Sequence, residues 1–146
     1  MAAFVDTNLF VYARDATEPE KQQRVSAWLR ALWQSRQGRV SVQVLTEYYV
    51  TVTQKLKPGL SREQAWADLR NLAAWRPTPT TFELVEQAWH LQSRYQLSWW
   101  DALIIAAARA TRCEFLLTED LQDGQLFDSL RVVDPFRSPP EAVLAR

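Results

Sequence analysis

The feature that most constrains this chain is an alternation of very short apolar runs with longer stretches of helical spacing. Ala2-Ala3-Phe4-Val5 is too short for a helix and reads as a buried strand. It stops at Asp6-Thr7-Asn8, residue types that favour helix caps. Behind Thr17-Glu18-Pro19-Glu20, which has the form of a capping box with Pro in the first turn, Val25, Trp28, Leu29, Leu32 and Trp33 recur at helical spacing. Arg39-Val40-Ser41-Val42 predicts a second short strand, and a helix over residues 43–55 follows until Pro58-Gly59. Ser61-Arg62-Glu63-Gln64 opens another helix running to Trp75. Residues 76–80 carry two prolines and can form only a short or edge strand. Thr80-Thr81-Phe82-Glu83 caps a helix to Tyr95, and Ser98 opens the next at Trp99. Glu114–Thr118 and Arg131–Val133 predict the last strands. The chain beyond Pro135, with Pro139-Pro140, predicts a loose tail.

Short strands alternating with helices imply a parallel sheet, covered on both faces. The expected class is therefore α/β, with a short, mostly parallel sheet between helices. A length of 146 residues suits one domain, placed here at residues 1–136, with a flexible tail at 137–146. In such open sheets, function gathers at the carboxyl ends of the strands. Asp6 follows the first strand and Glu119-Asp120 follows the Glu114–Thr118 strand, so both acidic groups fall on that edge.

Composition narrows the chemistry. There is one cysteine, Cys113, which excludes an internal disulfide and a cysteine-based zinc site. The single histidine, His90, sits in a helical pattern and fits an ordinary surface or core role better than catalysis. Lys and Arg number 17 and so do Asp and Glu, a balance that disfavours tight, stoichiometric nucleic-acid binding but leaves room for a local phosphate grip. No signal-peptide pattern or membrane-length apolar run occurs, so a cytoplasmic protein is expected.

Each acidic candidate also has an ordinary reading. Asp101 shares a helical face with Ile104, Ile105 and Ala108 and points inward, where an unpaired carboxylate is costly. Its spacing from Ser98 also fits a capping box. Asp6 could simply cap the helix after it. Against the stripe Leu45, Tyr48 and Val52, periodicity puts Glu47 on the polar side of its helix. The loop Thr118-Glu119-Asp120-Leu121-Gln122-Asp123-Gly124 offers three carboxylates, with no spacing rule to choose among them. What favours chemistry is convergence: carboxylates brought together repel one another unless a cation sits among them, and their oxygens suit Mg²⁺ or Mn²⁺.

Four stretches resemble the motifs of PIN domains. Phe4-Val5-Asp6-Thr7-Asn8 is similar to the first and Val44-Leu45-Thr46-Glu47-Tyr48-Tyr49 to the second. Leu97-Ser98-Trp99-Trp100-Asp101-Ala102-Leu103-Ile104-Ile105-Ala106-Ala107-Ala108 resembles the third and is the most specific. Leu116 to Gly124 resembles the fourth, in the form carried by toxins of VapBC-type toxin–antitoxin modules. The resemblance spans residues 1–136 and implies a three-layer α/β/α fold. It also implies a metal-dependent endoribonuclease with catalytic Asp6, Glu47, Asp101 and Asp120, overriding the periodicity of Glu47. Asp6, Asp101 and Asp120 would hold one or two Mg²⁺ or Mn²⁺ ions. Asn8 and Thr118 would support the acids, and Glu119 or Asp123 would share or replace the part of Asp120. The implied partners are RNA, a cognate antitoxin and a second copy of the chain. Asp134 stands where many relatives have Asn and receives no role. Two alternatives stay open: a non-catalytic RNA- or protein-binding module, and a DNA-directed nuclease of the same fold.

Overall fold

The computed structural model describes residues 1–144. Strand β1 (Ala3–Val5) lies between β2 (Gly38–Arg39) and β3 (Phe115–Leu117), parallel to both. Strand β5 (Leu130–Val133) continues the parallel set, and β4 (Leu126–Phe127) closes the edge antiparallel to it, giving the order β2-β1-β3-β5-β4. The register sets Val5 beside Leu117 and Leu117 beside Val133, so these strands end at one level. The helices are α1 (Thr7–Tyr12), α2 (Pro19–Ser35), α3 (Val42–Val50), α4 (Arg62–Leu72), α5 (Phe82–Tyr95), α6 (Trp99–Ala110) and α7 (Pro140–Leu144). The result is the expected three-layer α/β/α arrangement around a mostly parallel sheet.

Burial explains why runs of three residues suffice as strands. Ala3, Phe4 and Val5 are wholly buried, as are Leu116 and Leu117. Removing each large apolar side chain from water contributes roughly 1.5–3 kcal/mol, which offsets the weak pairing of so short a ladder. On α6 every residue from Ala102 to Ala108 is buried. Its alanines allow α5 to pack closely along it.

Several local expectations shift. The strand expected at 39–42 stops at Arg39, because the Ser41 hydroxyl accepts from the Val44 amide and starts α3 at Val42. The helix expected to Lys55 changes pitch at Thr51 into one wide turn, Thr51–Lys55. Residues 76–80 contribute only a lone bridge between Thr78 and Ser41. The capping box expected at Thr17 does not form: α2 opens after Glu18 with no side-chain cap, and Thr17 bonds Asp15 instead. Ser61 and Gln64 do form theirs. The two-residue β4 went unread because it has no periodicity to detect.

The tail expectation meets a different picture over its described part. The Trp28 indole donates to the Ser138 carbonyl (2.9 Å), and α7 lies against α2 with Val143 and Leu144 on the core. Residues 145–146 of that expected tail lie outside the described residues.

Candidate active site

Asp6 is the first residue after β1 and the N-cap of α1. Only 9% of its surface is exposed. Its Oδ1 accepts from the Thr7 amide (2.7 Å) and its Oδ2 from the Thr118 hydroxyl (2.8 Å). Thr118 directly follows β3, and its own oxygen accepts from the Asp120 amide (3.1 Å). An ionised carboxylate can only accept, so the hydroxyl proton is aimed at Asp6. One threonine side chain thus ties the ends of two neighbouring strands together and sets Asp6 and Asp120 in register.

The Asp120 carboxylate accepts from the Asn8 side-chain amide through Oδ2 (3.3 Å) and is otherwise exposed to solvent. Its two acidic neighbours in the loop are engaged elsewhere. Glu119 accepts from the Tyr12 hydroxyl and from Lys21 Nζ (3.1 Å). Asp123 accepts from the Asp134 amide (2.9 Å). The geometry therefore distinguishes three carboxylates that spacing left equivalent: Asp120 turns to the strand ends, while Glu119 and Asp123 brace the loop. Tyr12 and Lys21 were not among the expected site residues. Tyr12 lies one helical turn after Asn8, a spacing that would have flagged it. Nothing local flags Lys21, whose partner lies 98 residues away.

Asp101 occupies the first turn of α6, half-buried. Its amide donates to the Ser98 hydroxyl (3.1 Å). The reciprocal half of a capping box, a carboxylate bonded to the Ser98 amide, is absent among the described residues. Asp101's backbone serves the cap and its side chain is left over. Glu47 on α3 is half-buried as well, its Oε1 held by the Gln43 side-chain amide (2.7 Å). The expectation of a solvated surface position for Glu47 is corrected by packing: α3 lies against α1, which leaves Glu47 half-buried with its charge felt at Asp6.

Electrostatics links the four acids. Burial pushes the Asp6 carboxyl up from 3.8 to about 6; hydrogen bonds from Thr118 and Thr7 pull it back, and the charges of Asp120 and Glu47 push it further up. Asp120 is raised too, first by partial burial, then by the charges of Glu119 and Asp101. Asp6 feels Asp120 and Glu47, and Asp120 feels Asp101, so a negative field spans all four. Lys21, the cation bonded to the Asp120 loop, is paired with Glu119.

As arranged, no three acidic, histidine or cysteine side chains among the described residues converge closely enough to ligate one ion. The donor set still fits a hard divalent cation in kind and charge. It consists of carboxylate oxygens at one sheet edge, with raised affinity for positive charge.

A family model described as PIN domain matches residues 3–126. No curated protein matches. Three solved structures share the fold. A toxin–antitoxin complex from Klebsiella pneumoniae is 23% identical over 92% of this chain and 98% of its own, with a TM-score of 0.65. VapC20 from Mycobacterium tuberculosis, described as a sarcin–ricin loop cleaving toxin, is 24% identical over 79% and 87%, with a TM-score of 0.57. VapBC2 from Rickettsia felis, solved with a promoter DNA fragment, is 18% identical over 90% and 97%, with a TM-score of 0.60. The match over residues 3–126 establishes that this chain belongs to the PIN domain family.

Proposed function

We propose that this chain is a metal-dependent endoribonuclease and the toxin of a type II toxin–antitoxin module, working in the cytoplasm. The observation that carries the reading is the single Thr118 hydroxyl that ties the Asp6 carboxylate to the backbone of Asp120, within a field shared by Glu47 and Asp101. Its support is the family match and the toxin–antitoxin setting of the structural neighbours. Asp6, Asp101 and Asp120 would hold one or two Mg²⁺ or Mn²⁺ ions, with Glu47 as the fourth acid. When bound, such an ion activates water and neutralises charge on the scissile phosphodiester.

The chain's own residues do the rest. Left uncompensated, four acids repel a phosphodiester, so this edge accepts RNA only when a cation is present. Thr118 and the Thr7 amide hold the Asp6 oxygens, and Asn8 holds one Asp120 oxygen; these bonds fix the carboxylates before substrate arrives. Glu119, tied to Tyr12 and Lys21, anchors the loop that carries Asp120.

The proposed partners are an antitoxin and a second copy of the chain. Trp66, Trp89 and Trp100 are each more than half exposed and Phe82 is 81% exposed, which leaves aromatic surface for a partner to cover. No helix is long and apolar enough to cross a membrane.

The test is cleavage of a single-stranded RNA, alongside a DNA of the same sequence, with Mn²⁺ and with EDTA. The expected result is RNA cleavage with Mn²⁺ only, lost in Asp6→Asn, Asp101→Asn and Asp120→Asn and reduced in Glu47→Gln. Undiminished cleavage in EDTA, or by Asp101→Asn, refutes the mechanism; cleavage of the DNA alone makes this a DNA-directed nuclease.

A further inference from the structure

The opposite end of the sheet carries the reverse charge. A cavity of about 660 Å³ is lined there by Arg36, Arg39 and Arg76, with Trp33, Trp75 and the backbone of Gly38. Gly38 pairs with Ala3 at the start of β1, whereas Asp6 follows its end. Strand rise puts Ala3 and Asp6 about 10 Å apart along β1, so the cavity and the acids lie on opposite rims of the sheet.

No acidic side chain lines the cavity. None of its three arginines lies within ion-pair distance of a carboxylate among the described residues, although Arg14, Arg94, Arg109 and Arg137 all do. In a chain of zero net charge this is a local, uncompensated excess. The ordinary role of arginine near a helix carboxyl end is to bond the free carbonyls. Arg39 does so, donating to the carbonyls of Arg36 and Gly38 (3.1 and 2.9 Å). The side chains of Arg36 and Arg76 make no such bond among the described residues.

The backbone adds a second observation. Arg36 (φ 59°) and Arg76 (φ 52°) both sit in the left-handed region, where glycine is the favoured residue. Both positions end a helical segment, Arg36 closing α2 and Arg76 the turn at residues 73–75, and no internal partner among the described residues uses either side chain. The wall beside them is aromatic. Trp33 is 41% exposed and packs tilted against Trp75, with centroids 5.2 Å apart at 51°. Trp75 in turn lies flat on Gly38, where an added Cβ would come within 2.4–2.7 Å of its ring.

Guanidinium groups free to pair, beside a partly exposed indole that lines the same cavity, are the chemistry that single-stranded nucleic acid needs for its phosphates and bases. An acidic peptide would use the charges and leave the indole idle. We infer that this cavity is a second RNA-binding site, which holds the substrate strand by backbone phosphate and a stacked base on the rim opposite the acids. The identity of the ligand as RNA rests on the function proposed above.

The test uses the full chain in an Asp101→Asn background, so that RNA is bound without being cut. Affinity for a short single-stranded oligoribonucleotide is measured across a salt series, with and without Arg36→Gly and Arg76→Gly. Glycine is the residue the backbone prefers at both positions, so the fold is retained, and thermal melting checks it. Losing two phosphate contacts is expected to weaken binding about tenfold or more at low salt. It should also reduce the slope of log affinity against log salt by about 1.4, at roughly 0.7 per contact for a single strand. Arg36→Lys with Arg76→Lys should restore the slope. Equal affinity and slope in the glycine variants overturns the inference, whatever else the cavity binds. If the unsubstituted chain cuts no RNA yet the arginine dependence holds, the enzymatic reading fails and the binding site stands. If RNA is cut and binding ignores the arginines, only the site inference fails.

Discussion

Asp6→Asn should make the metal-free protein more stable at pH 8 and less stable at pH 4. Asp6 is raised from 3.8 to about 6, chiefly because burial disfavours its charge, then through Asp120 and Glu47. A carboxyl whose folded pKa exceeds its unfolded value takes up a proton on folding. Its contribution favours the folded state below about pH 4 and is lost as pH rises from there to about 6. Above that, the ionised carboxylate costs the fold about 3 kcal/mol, at 1.36 kcal/mol per pKa unit. Asparagine removes that cost. It still accepts from the Thr7 amide through its one oxygen, but its NH₂ faces a Thr118 hydroxyl that was donating, which loses about 1 kcal/mol. The net expectation is a gain of about 2 kcal/mol at pH 8, turning into a loss of about 1 kcal/mol at pH 4. Urea unfolding of both proteins in EDTA at several pH values between these limits reads the difference directly. A difference that stays constant across the series, or a variant less stable than the parent at pH 8, would show that Asp6 carries no buried-charge penalty.

The other predictions are brief. Mn²⁺ should raise the melting temperature by binding only the native state, and Asp120→Asn should shrink that rise while Asp123→Asn should not; the reverse pattern would move the site to Asp123. Gly38→Ala drives a methyl into the Trp75 ring and should cost about 1–3 kcal/mol, measured by denaturant midpoint; an unchanged midpoint would mean that Trp75 is free to move. Ser98→Ala removes the cap of α6 and should cost about 1 kcal/mol of stability, read by thermal melting. A chain that scatters light as a clean monomer at micromolar concentration would refute the proposed homodimer.

What the sequence determined by itself was periodicity and order. Apolar runs of three or four residues between capped helices imply a parallel sheet, and that order alone puts Asp6 and the Glu119-Asp120 pair on one edge. Ser61 and Ser98 also marked their helix starts correctly, because a cap is a bond across three residues. Tertiary structure decided whatever depends on residues distant in the chain. Glu119, Asp120 and Asp123 are equivalent as a string, and only contacts with Tyr12, Lys21, Asn8 and Asp134 separate them. Glu47 looked solvated because helical periodicity knows one buried face, whereas the packing of α3 against α1 leaves it half-buried. Thr17 matched a capping pattern but turned to Asp15, since a local bond of equal quality was nearer. The arginines at 36, 39 and 76 are ordinary surface residues in sequence. They become one basic cavity only because β2 and the turn ending at Trp75 bring together the ends of separate elements.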